Sequence, residues 1–253
     1  MDISNAWING RTLVEALGTT EANHNFGKFR STDRVKIQIS RDIYALGIEL
    51  KNAFPFVVEE NLLITAHDVD SPSSIIDFKN IRFTKNALAS ATSTLIKNKS
   101  TQEVEKLGKN LDFKDQTQAL KFSKEVCVWG RGQRVWGNLK RHYPDAQLGQ
   151  LLGSWFLMVK AQSSNIEVIT PGTSIKGLGI SFASKHLRNL EPEQFAVLDG
   201  VLSEGLGYAL NPAGFNLFIS DLKQLKREHS LPYRIADLEA SIFLLTRQLV
   251  RSK

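Results

Sequence analysis

Apolar residues recur at helical spacing through most of the second half of the chain. They repeat every three or four positions, which is the pattern of an amphipathic helix that packs one face against a core. Residues 163–174 interrupt this pattern with Pro171-Gly172, so we predict a connector there. The predicted helices cover 115–128, 145–161, 180–187, 195–210, 216–228 and 235–251.

The first half of the chain has a more mixed pattern. Arg34 to Ser40 alternates polar and apolar residues, which is typical of a short strand. The apolar residues Ile43, Leu46 and Leu50 follow at helical spacing, so a helix that begins in this stretch is the alternative. Further predicted elements are helices over 84–97 and 101–107 and a loop over 70–74.

These patterns predict a mostly α-helical protein with a minor β contribution in its N-terminal half. We divide it into an N-terminal mixed region, 1–112, and a helical region, 113–253. A chain of 253 residues is long enough for one large domain or two smaller ones, each with its own core.

The composition limits the kinds of metal, disulfide and membrane function that we expect of this chain. Cys127 is the single cysteine, and the five histidines lack the short spacings of metal ligands. We therefore expect no disulfide framework and no metal held by side chains. The first residues lack the regions of a signal peptide, and the longest nearly apolar run, Leu151 to Val159, is too short to span a bilayer. The expectation is a soluble, cytoplasmic protein with no membrane partner and no organic cofactor.

Positive charge is concentrated in the second half of the chain. The net charge is +6, yet residues 1–120 carry 15 basic and 15 acidic side chains, against 17 and 11 in residues 121–253. Within 121–188 there are ten basic side chains and three acidic ones. Such a field attracts polyanions and favours nucleic acid as the partner, with an ordinary solvated basic face as the alternative.

A short glycine motif lies inside this basic region. Gly177-Leu178-Gly179 is followed by Ile180 and Ser181. Two glycines around one apolar residue permit a tight turn into a helix. The amide groups that open such a helix bind phosphate, helped by the helix dipole. A surface turn without a ligand is the alternative, because short glycine motifs are common.

The segment from Gly177 to Lys185, with Phe195 to Leu202 after it, resembles the helix-hairpin-helix DNA glycosylase superfamily. Within that superfamily it is most similar to the bacterial 8-oxoguanine DNA glycosylase-like branch. The resemblance covers roughly 115–250 and is strongest over 176–205. It implies a two-lobed helical fold, DNA contacts from Lys176 and the hairpin, and a monovalent cation on the hairpin backbone. The implied DNA-binding residues are Lys176, Gly177, Leu178, Gly179, Ile180 and Ser181.

Two departures from the family's pattern concern the hairpin. Its first helix is usually regular, whereas Pro171-Gly172 predicts a short or absent helix here. The family's nucleophilic lysine stands two residues after the second glycine, where this chain has Ser181. Lys185 lies one helical turn further along, on the same helix face.

The resemblance also implies a catalytic carboxylate. In the superfamily an aspartate follows the hairpin, and Asp199 occupies that place, twenty residues after Gly179. Lys185 is the candidate nucleophile, as an amine with a lowered pKa. The alternatives are a helix-capping role for Asp199 and a phosphate-binding or solvated Lys185.

Residues 129–137 combine arginines, glycines and tryptophans. Arginines contact phosphates, and aromatic rings stack on exposed bases, so we predict a loop that contacts DNA. Core packing is the alternative for the tryptophans. Asp237 and Glu239 form an acidic pair near the start of the last helix, for which stabilisation of the helix dipole is the alternative to a pocket role. The further DNA-contact candidates are Arg131, Arg134 and Lys140, and the pocket candidates are Trp129, Trp136 and Asp237.

Together these features predict a monomeric DNA glycosylase that flips a modified base out of double-stranded DNA and cleaves its N-glycosidic bond. The candidate bases are an oxidised purine, or a bulky base such as the glucosylated hydroxymethylcytosine of phage DNA, which would imply a defence role. A helix-hairpin-helix protein that binds DNA without chemistry is one alternative. A protein whose basic face binds a different partner is another.

Overall fold

The computed structural model describes residues 5–9, 14, 19–30, 34–38, 56–58, 62–65, 68, 73–95, 98–161 and 164–251. Within these residues the protein is mostly helical, which confirms the predicted class. None of the helices described is long and apolar enough to cross a bilayer.

Six strands in the described part of the first half form one sheet. Their order is β2-β1-β3-β4-β6-β5, with β4 and β6 parallel and the other neighbours antiparallel. The bounds are β1 (Asn5–Asn9), β2 (Arg34–Gln38), β3 (Phe56–Val58), β4 (Leu62–Ile64), β5 (Ile75–Phe78) and β6 (Ile81–Thr84). The strand predicted from Arg34 is confirmed as β2. Ile43, Leu46 and Leu50, and residues 70–72 of the predicted loop, lie outside the described residues.

Eleven helices lie in the described part of the chain. Their starts have a local cause where a side chain caps the free amides of the first turn. Asp115, for example, accepts the amides of Thr117 at 2.8 Å and Gln118 at 3.1 Å. The bounds are α1 (Thr19–Phe26), α2 (Lys85–Leu95), α3 (Lys99–Lys109), α4 (Gln116–Trp129), α5 (Gln133–His142), α6 (Asp145–Ala161), α7 (Asn165–Ser174), α8 (Ile180–Leu190), α9 (Gly200–Leu206), α10 (Pro212–Glu228) and α11 (Ile235–Arg251).

The chain divides into two compact units. The first comprises Met1–Leu95, Gly205–Gly207 and Ser241–Lys253, and the second comprises Ile96–Glu204 and Tyr208–Ala240. The predicted division after residue 112 differs from this one. The reason is that α3 packs against α4 and α8 of the second unit, so it belongs with the helical region.

A buried carboxylate connects the strands of the first unit to the loop that precedes β5. Asp68 accepts hydrogen bonds from Thr65, Ser73 and Asn86, and at 2.6 Å from the hydroxyl of Thr84. Because a buried charge is costly unless its oxygens are satisfied, these donors make Asp68 a structural residue.

Helix α8 runs through the core of the second unit. His186 on this helix stacks on Phe156, with ring centroids 5.8 Å apart. Its Nδ1 lies 2.6 Å from the carbonyl oxygen of Phe182, and its Nε2 lies 2.9 Å from the hydroxyl of Ser123. Burial lowers the pKa of His186 to about 4, so the ring is neutral at physiological pH.

The predicted secondary structure is wrong in two segments, each for a physical reason. The predicted connector is helix α7, although Pro171 lies inside it. The ring of Trp155 packs on Gly172, and its indole N–H donates to the carbonyl oxygen of Val168 at 2.7 Å. Residues 195–199 belong to no helix or strand, because side chains from other helices accept the amides of Val197 and Leu198.

Candidate active site

The glycine turn joins α7 to α8 as a helical hairpin. Gly177 has a φ of +98°, a region that residues with a side chain rarely adopt. Leu178 is buried, and its amide donates to the carbonyl oxygen of Ile175 at 2.9 Å. Gly179 then caps α8. The predicted turn into a helix is confirmed. The helix before it, predicted to be short or absent, is present as the ten-residue α7, which ends at Ser174.

The first turn of α8 is available to an anion. No side chain caps this helix, so the amides of Ile180 and Ser181 have no partner within it. Gly179 is exposed, and a Cβ there would meet no atom within 4 Å. Lys176 is exposed beside it, and its amide donates to the hydroxyl of Tyr143 at 3.0 Å, which ties the turn to the end of α5.

Lys185 lies one turn deeper on α8 than Ser181. Its Nζ donates to the Oγ of Ser181 at 2.9 Å and lies 4.7 Å from the ring centroid of Phe182. Burial lowers the pKa of Lys185, while the carboxyl groups of Asp199 and Glu239 oppose that change. A lowered pKa increases the share of the neutral amine, which is the nucleophilic form.

The turn between α4 and α5 covers the stem of Lys185. A Cβ on Gly130 would lie 2.7 Å from Cδ of Lys185, and one on Gly132 would lie 2.1 Å from Cζ of Phe182. Both glycines are therefore required for close packing of the turn on α8. In the sequence, two glycines spaced two apart are the only sign of this packing. The side chains that require them lie some fifty residues later in the chain.

Asp199 is half-buried and opens α9. Its Oδ1 accepts the amide of Val201 at 3.0 Å and that of Leu202 at 3.2 Å, which is the geometry of a helix N-cap. Both bonds use the same oxygen. The charge of Asp199 raises the pKa of Lys185, so the two groups interact electrostatically.

A second carboxyl group in this neighbourhood is Glu239. Its side chain is buried, and its Oε2 accepts the amide of Val197 at 3.1 Å. Burial raises the pKa of Glu239 to about 8, and Asp199 adds to this, while Val197 and Arg188 oppose it. Sequence reasoning placed Glu239 in an acidic pair at a helix start. The signal for burial was its helical register with the buried Ile235 and Ile242.

An ion cluster lies behind the site. Glu105 pairs with Arg188 at 2.5 Å and with Arg234 at 2.9 Å, and Arg234 also pairs with Asp237 at 2.7 Å. The guanidinium of Arg188 lies 5.3 Å from the ring centroid of Trp129. The pocket candidates Trp129 and Asp237 therefore lie in this cluster.

The remaining candidates lie on the surface of α5 and the turn before it. The predicted loop is helical from Gln133 onward, so only the turn at 130–132 is irregular. Arg131 and Arg134 are exposed, whereas Lys140 forms an ion pair with Asp145. Trp136 is half-buried, with Nζ of Lys140 at 5.9 Å from its ring centroid.

Comparison of the chain with protein-family models, curated proteins and solved structures finds no match. The assignment of function therefore rests on the site itself. Among the residues described, no three His, Cys, Asp or Glu side chains are grouped so that they could hold a metal ion.

A backbone cation at the hairpin has few available oxygens. The carbonyl oxygen of Gly179 accepts the amides of Phe182 at 3.0 Å and Ala183 at 2.9 Å, which uses both lone pairs. Lys176 and Gly177 are exposed in the same turn, so their carbonyl oxygens are the remaining candidates for a cation. Such an ion would offset the charge of a phosphate bound beside it.

Proposed function

We propose that this protein is a DNA glycosylase that flips a modified base out of double-stranded DNA and cleaves the N-glycosidic bond of that base. The observation that carries the proposal is the electrostatic interaction of Asp199 with Lys185, whose amine is hydrogen-bonded to Ser181 in the uncapped first turn of α8. We also propose the two-lobed helix-hairpin-helix glycosylase fold, and a monomer that acts in the cytoplasm.

The hairpin and α5 supply the proposed DNA contacts. The free amides of Ile180 and Ser181 bind one phosphate, with the helix dipole adding to the attraction. The exposed side chains of Lys176, Arg131 and Arg134 contact neighbouring phosphates, which position the duplex without reading its sequence. The hydroxyl of Tyr143 accepts the amide of Lys176 and so holds the turn next to the end of α5.

Asp199 is the proposed catalytic carboxylate. Cleavage of an N-glycosidic bond builds positive charge on the deoxyribose ring, as in other glycoside cleavages. The carboxylate stabilises that charge and orients a water molecule toward C1′. The base leaves with the bonding electron pair, water adds its oxygen to C1′, and one proton of the water ends on the departing base. The capping bonds to Val201 and Leu202 hold the carboxylate in place for this role.

Lys185 is the proposed nucleophile for a lyase step. Its neutral amine attacks C1′, and the base departs with the bonding electron pair and takes one proton of the amine. Cleavage of the C1′–O4′ bond then leaves a Schiff base with the opened sugar, and loss of a C2′ proton expels the 3′ phosphate by β-elimination. The hydrogen bond to Ser181 directs Nζ toward the first turn of α8. Where the amine is not used, hydrolysis through Asp199 alone leaves an abasic site.

The proposed substrate is an oxidised purine such as 8-oxoguanine, or a bulky base such as glucosylated hydroxymethylcytosine of phage DNA. The first follows from the resemblance over 176–205. The second follows from an N-terminal half for which that resemblance gives no counterpart, and it would make the enzyme part of a defence against phage.

The second candidate function is DNA binding without chemistry. The observation that favours it is the N-cap geometry of Asp199, since capping alone is a sufficient reason for an aspartate at this position. Such a protein would bind duplexes tightly and leave every modified base in place.

An excision assay separates the two candidates. Duplexes carrying oxidised, alkylated, deaminated or glucosylated bases are incubated with the protein, and abasic sites are then cleaved with alkali. We expect strand cleavage on one class of duplex, and loss of that cleavage in Asp199→Asn. Full excision by Asp199→Asn would refute the catalytic assignment, and binding without excision on every duplex would favour the second candidate.

Borohydride reduction tests the lyase step. A covalent protein–DNA adduct that forms in the wild type and disappears in Lys185→Ala supports Lys185 as the nucleophile. Excision without an adduct leaves hydrolysis through Asp199 as the mechanism.

A further inference from the structure

The segment that carries Asp199 is held in place by side chains from two helices. Residues 195–199 are in no helix or strand of the described structure. The amide of Val197 donates to Oε2 of Glu239 on α11 at 3.1 Å. The next amide, of Leu198, donates to Oγ of Ser184 on α8 at 3.1 Å. Because the segment is buried, these two bonds fix the direction from which Asp199 enters the site.

The carboxyl group of Glu239 also acts on the charges around it. Burial raises the pKa of Glu239, whereas the charges of Arg188 and Lys185 on α8 lower it and that of Asp199 raises it. The charge of Arg188 is shared with Glu105, which pairs with it at 2.5 Å. Burial lowers the pKa of Lys185, whereas the charges of Asp199, Glu239 and Cys127 on α4 raise it. On α11 itself, Asp237 is paired with Arg234.

We propose that Glu239 is a positioning residue of the active site, which fixes Asp199 through Val197 and sets the protonation of Lys185. The part that concerns Asp199 rests on the proposed glycosylase function. The part that concerns Lys185 is a property of the free protein and does not depend on that function.

The two parts respond differently to substitution. Glu239→Gln keeps a side-chain oxygen that accepts the amide of Val197 but cannot take the negative charge that Glu239 carries above its pKa of about 8. Glu239→Leu removes both the acceptor and the charge. Asp237→Asn is the matched control, since it removes a carboxylate two residues away on the same helix that bonds Arg234 instead of Val197.

The first experiment measures the reactivity of Lys185 in the protein without DNA. Reductive methylation across a pH series, read by peptide mass spectrometry, gives the pH at which half of the Lys185 amines react. In Glu239→Gln we expect this midpoint at lower pH than in the wild type, because a charge that favours the ammonium is gone. In Asp237→Asn we expect the wild-type midpoint. An unchanged midpoint in Glu239→Gln, or an equal shift in the control, would overturn the role of Glu239.

The second experiment measures excision on the duplex that the wild type cleaves. For Glu239→Leu we expect kcat to fall on the order of tenfold or more, with KM for DNA unchanged. The reason is that a displaced Asp199 carboxylate impairs the chemical step but not DNA binding. Glu239→Gln should recover most of that kcat at its own pH optimum. If Glu239→Gln loses as much kcat as Glu239→Leu, the positioning of Asp199 through Val197 is wrong. If the wild type cleaves no duplex, the proposed function fails while the reactivity experiment still decides the role toward Lys185.

Discussion

The Nζ of Lys185 lies 2.9 Å from the Oγ of Ser181, one helical turn before it on α8. In the glycosylase superfamily to which we propose this chain belongs, the nucleophilic lysine stands at the place of Ser181. The amine of Lys185 is within hydrogen-bond distance of that residue, and its apolar stem is covered by the turn at Gly130.

This relationship predicts the behaviour of a relocated lysine. The double variant Ser181→Lys with Lys185→Ser keeps the net charge and moves the amine by one turn. We expect it to form a borohydride-reduced adduct with the duplex at least as well as the wild type, whereas Lys185→Ser alone forms none. Gel electrophoresis of the reduced mixture measures the adduct. An adduct in Lys185→Ser would show that another amine is the nucleophile.

A second prediction separates the two roles of Asp199. Asn caps helices about as well as Asp, so Asp199→Asn should change the free energy of unfolding by less than about 1 kcal/mol. Excision should fall on the order of a hundredfold or more, because the amide carries no charge. Asp115→Asn is the matched control, since Asp115 caps α4 with the same pattern of bonds. Urea denaturation measures the free energy of unfolding, and the alkali cleavage assay measures excision. A loss of excision that the loss of stability fully explains would contradict a catalytic role.

A third prediction concerns the turn that covers Lys185. Gly130→Ala should lower the free energy of unfolding by about 1–3 kcal/mol, because the new methyl group overlaps Cδ of Lys185. Gly137→Ala is the control. Gly137 lies inside α5 with no atom within 4 Å of its Cβ position, so alanine there should stabilise the protein by about 0.5–1 kcal/mol. Thermal or urea unfolding of both variants measures the difference. An unchanged free energy of unfolding in Gly130→Ala would show that the turn shifts to make room for the methyl group.

The fourth prediction concerns acid stability through His186. Burial lowers its pKa from 6.5 to about 4, so the unfolded chain binds a proton that the folded protein resists. The contribution of the neutral ring to stability is complete above pH 6.5 and is lost as the pH falls toward 4. In His186→Asn the slope of unfolding free energy against pH should be smaller in that window, and in the exposed His142→Asn it should match the wild type. Urea titrations at several pH values measure it, and equal slopes in all three proteins would contradict the prediction.

The fifth prediction concerns the DNA interface. Arg134→Ala should weaken duplex binding equally for all sequences and reduce the slope of log affinity against log salt concentration by about 1. Arg82→Ala, which removes a cation paired with Asp77 on the sheet, is expected to leave that slope unchanged. Fluorescence anisotropy over a range of salt concentrations gives both slopes. A slope unaffected by Arg134→Ala would remove α5 from the proposed interface.

Local sequence patterns predict the long helices because each carries its own periodicity and start signal. Helix α11 has the predicted bounds, 235–251, and α6 has the predicted bounds, 145–161. Helix α7 was missed because Pro171 and Gly172 disfavour a helix locally. The bond from Trp155 to Val168 and the packing of that indole on Gly172 come from another helix, which a local pattern does not contain.

The candidate site shows the same limit of local patterns. The hairpin depends on residues close in sequence, so Gly177 and Gly179 identify it. The irregular segment before Asp199 depends on Ser184, which is 14 residues from its partner Leu198, and on Glu239, which is 42 residues from its partner Val197. The burial of Glu239 follows from packing between helices, and its acidic neighbour Asp237 gave the misleading impression of an ordinary charged helix start.

The glycines at 130 and 132 have a consequence for evolution. Gly130 leaves room for Lys185 and for the edge of Phe182, and Gly132 leaves room for the ring of Phe182. In natural variants of this chain, residues 130 and 185 should therefore change together, and so should 132 and 182. A variant that keeps the lysine but carries a branched residue at 130 has no space for its stem along this path, so glycine at both positions becomes a marker for chains that retain the amine.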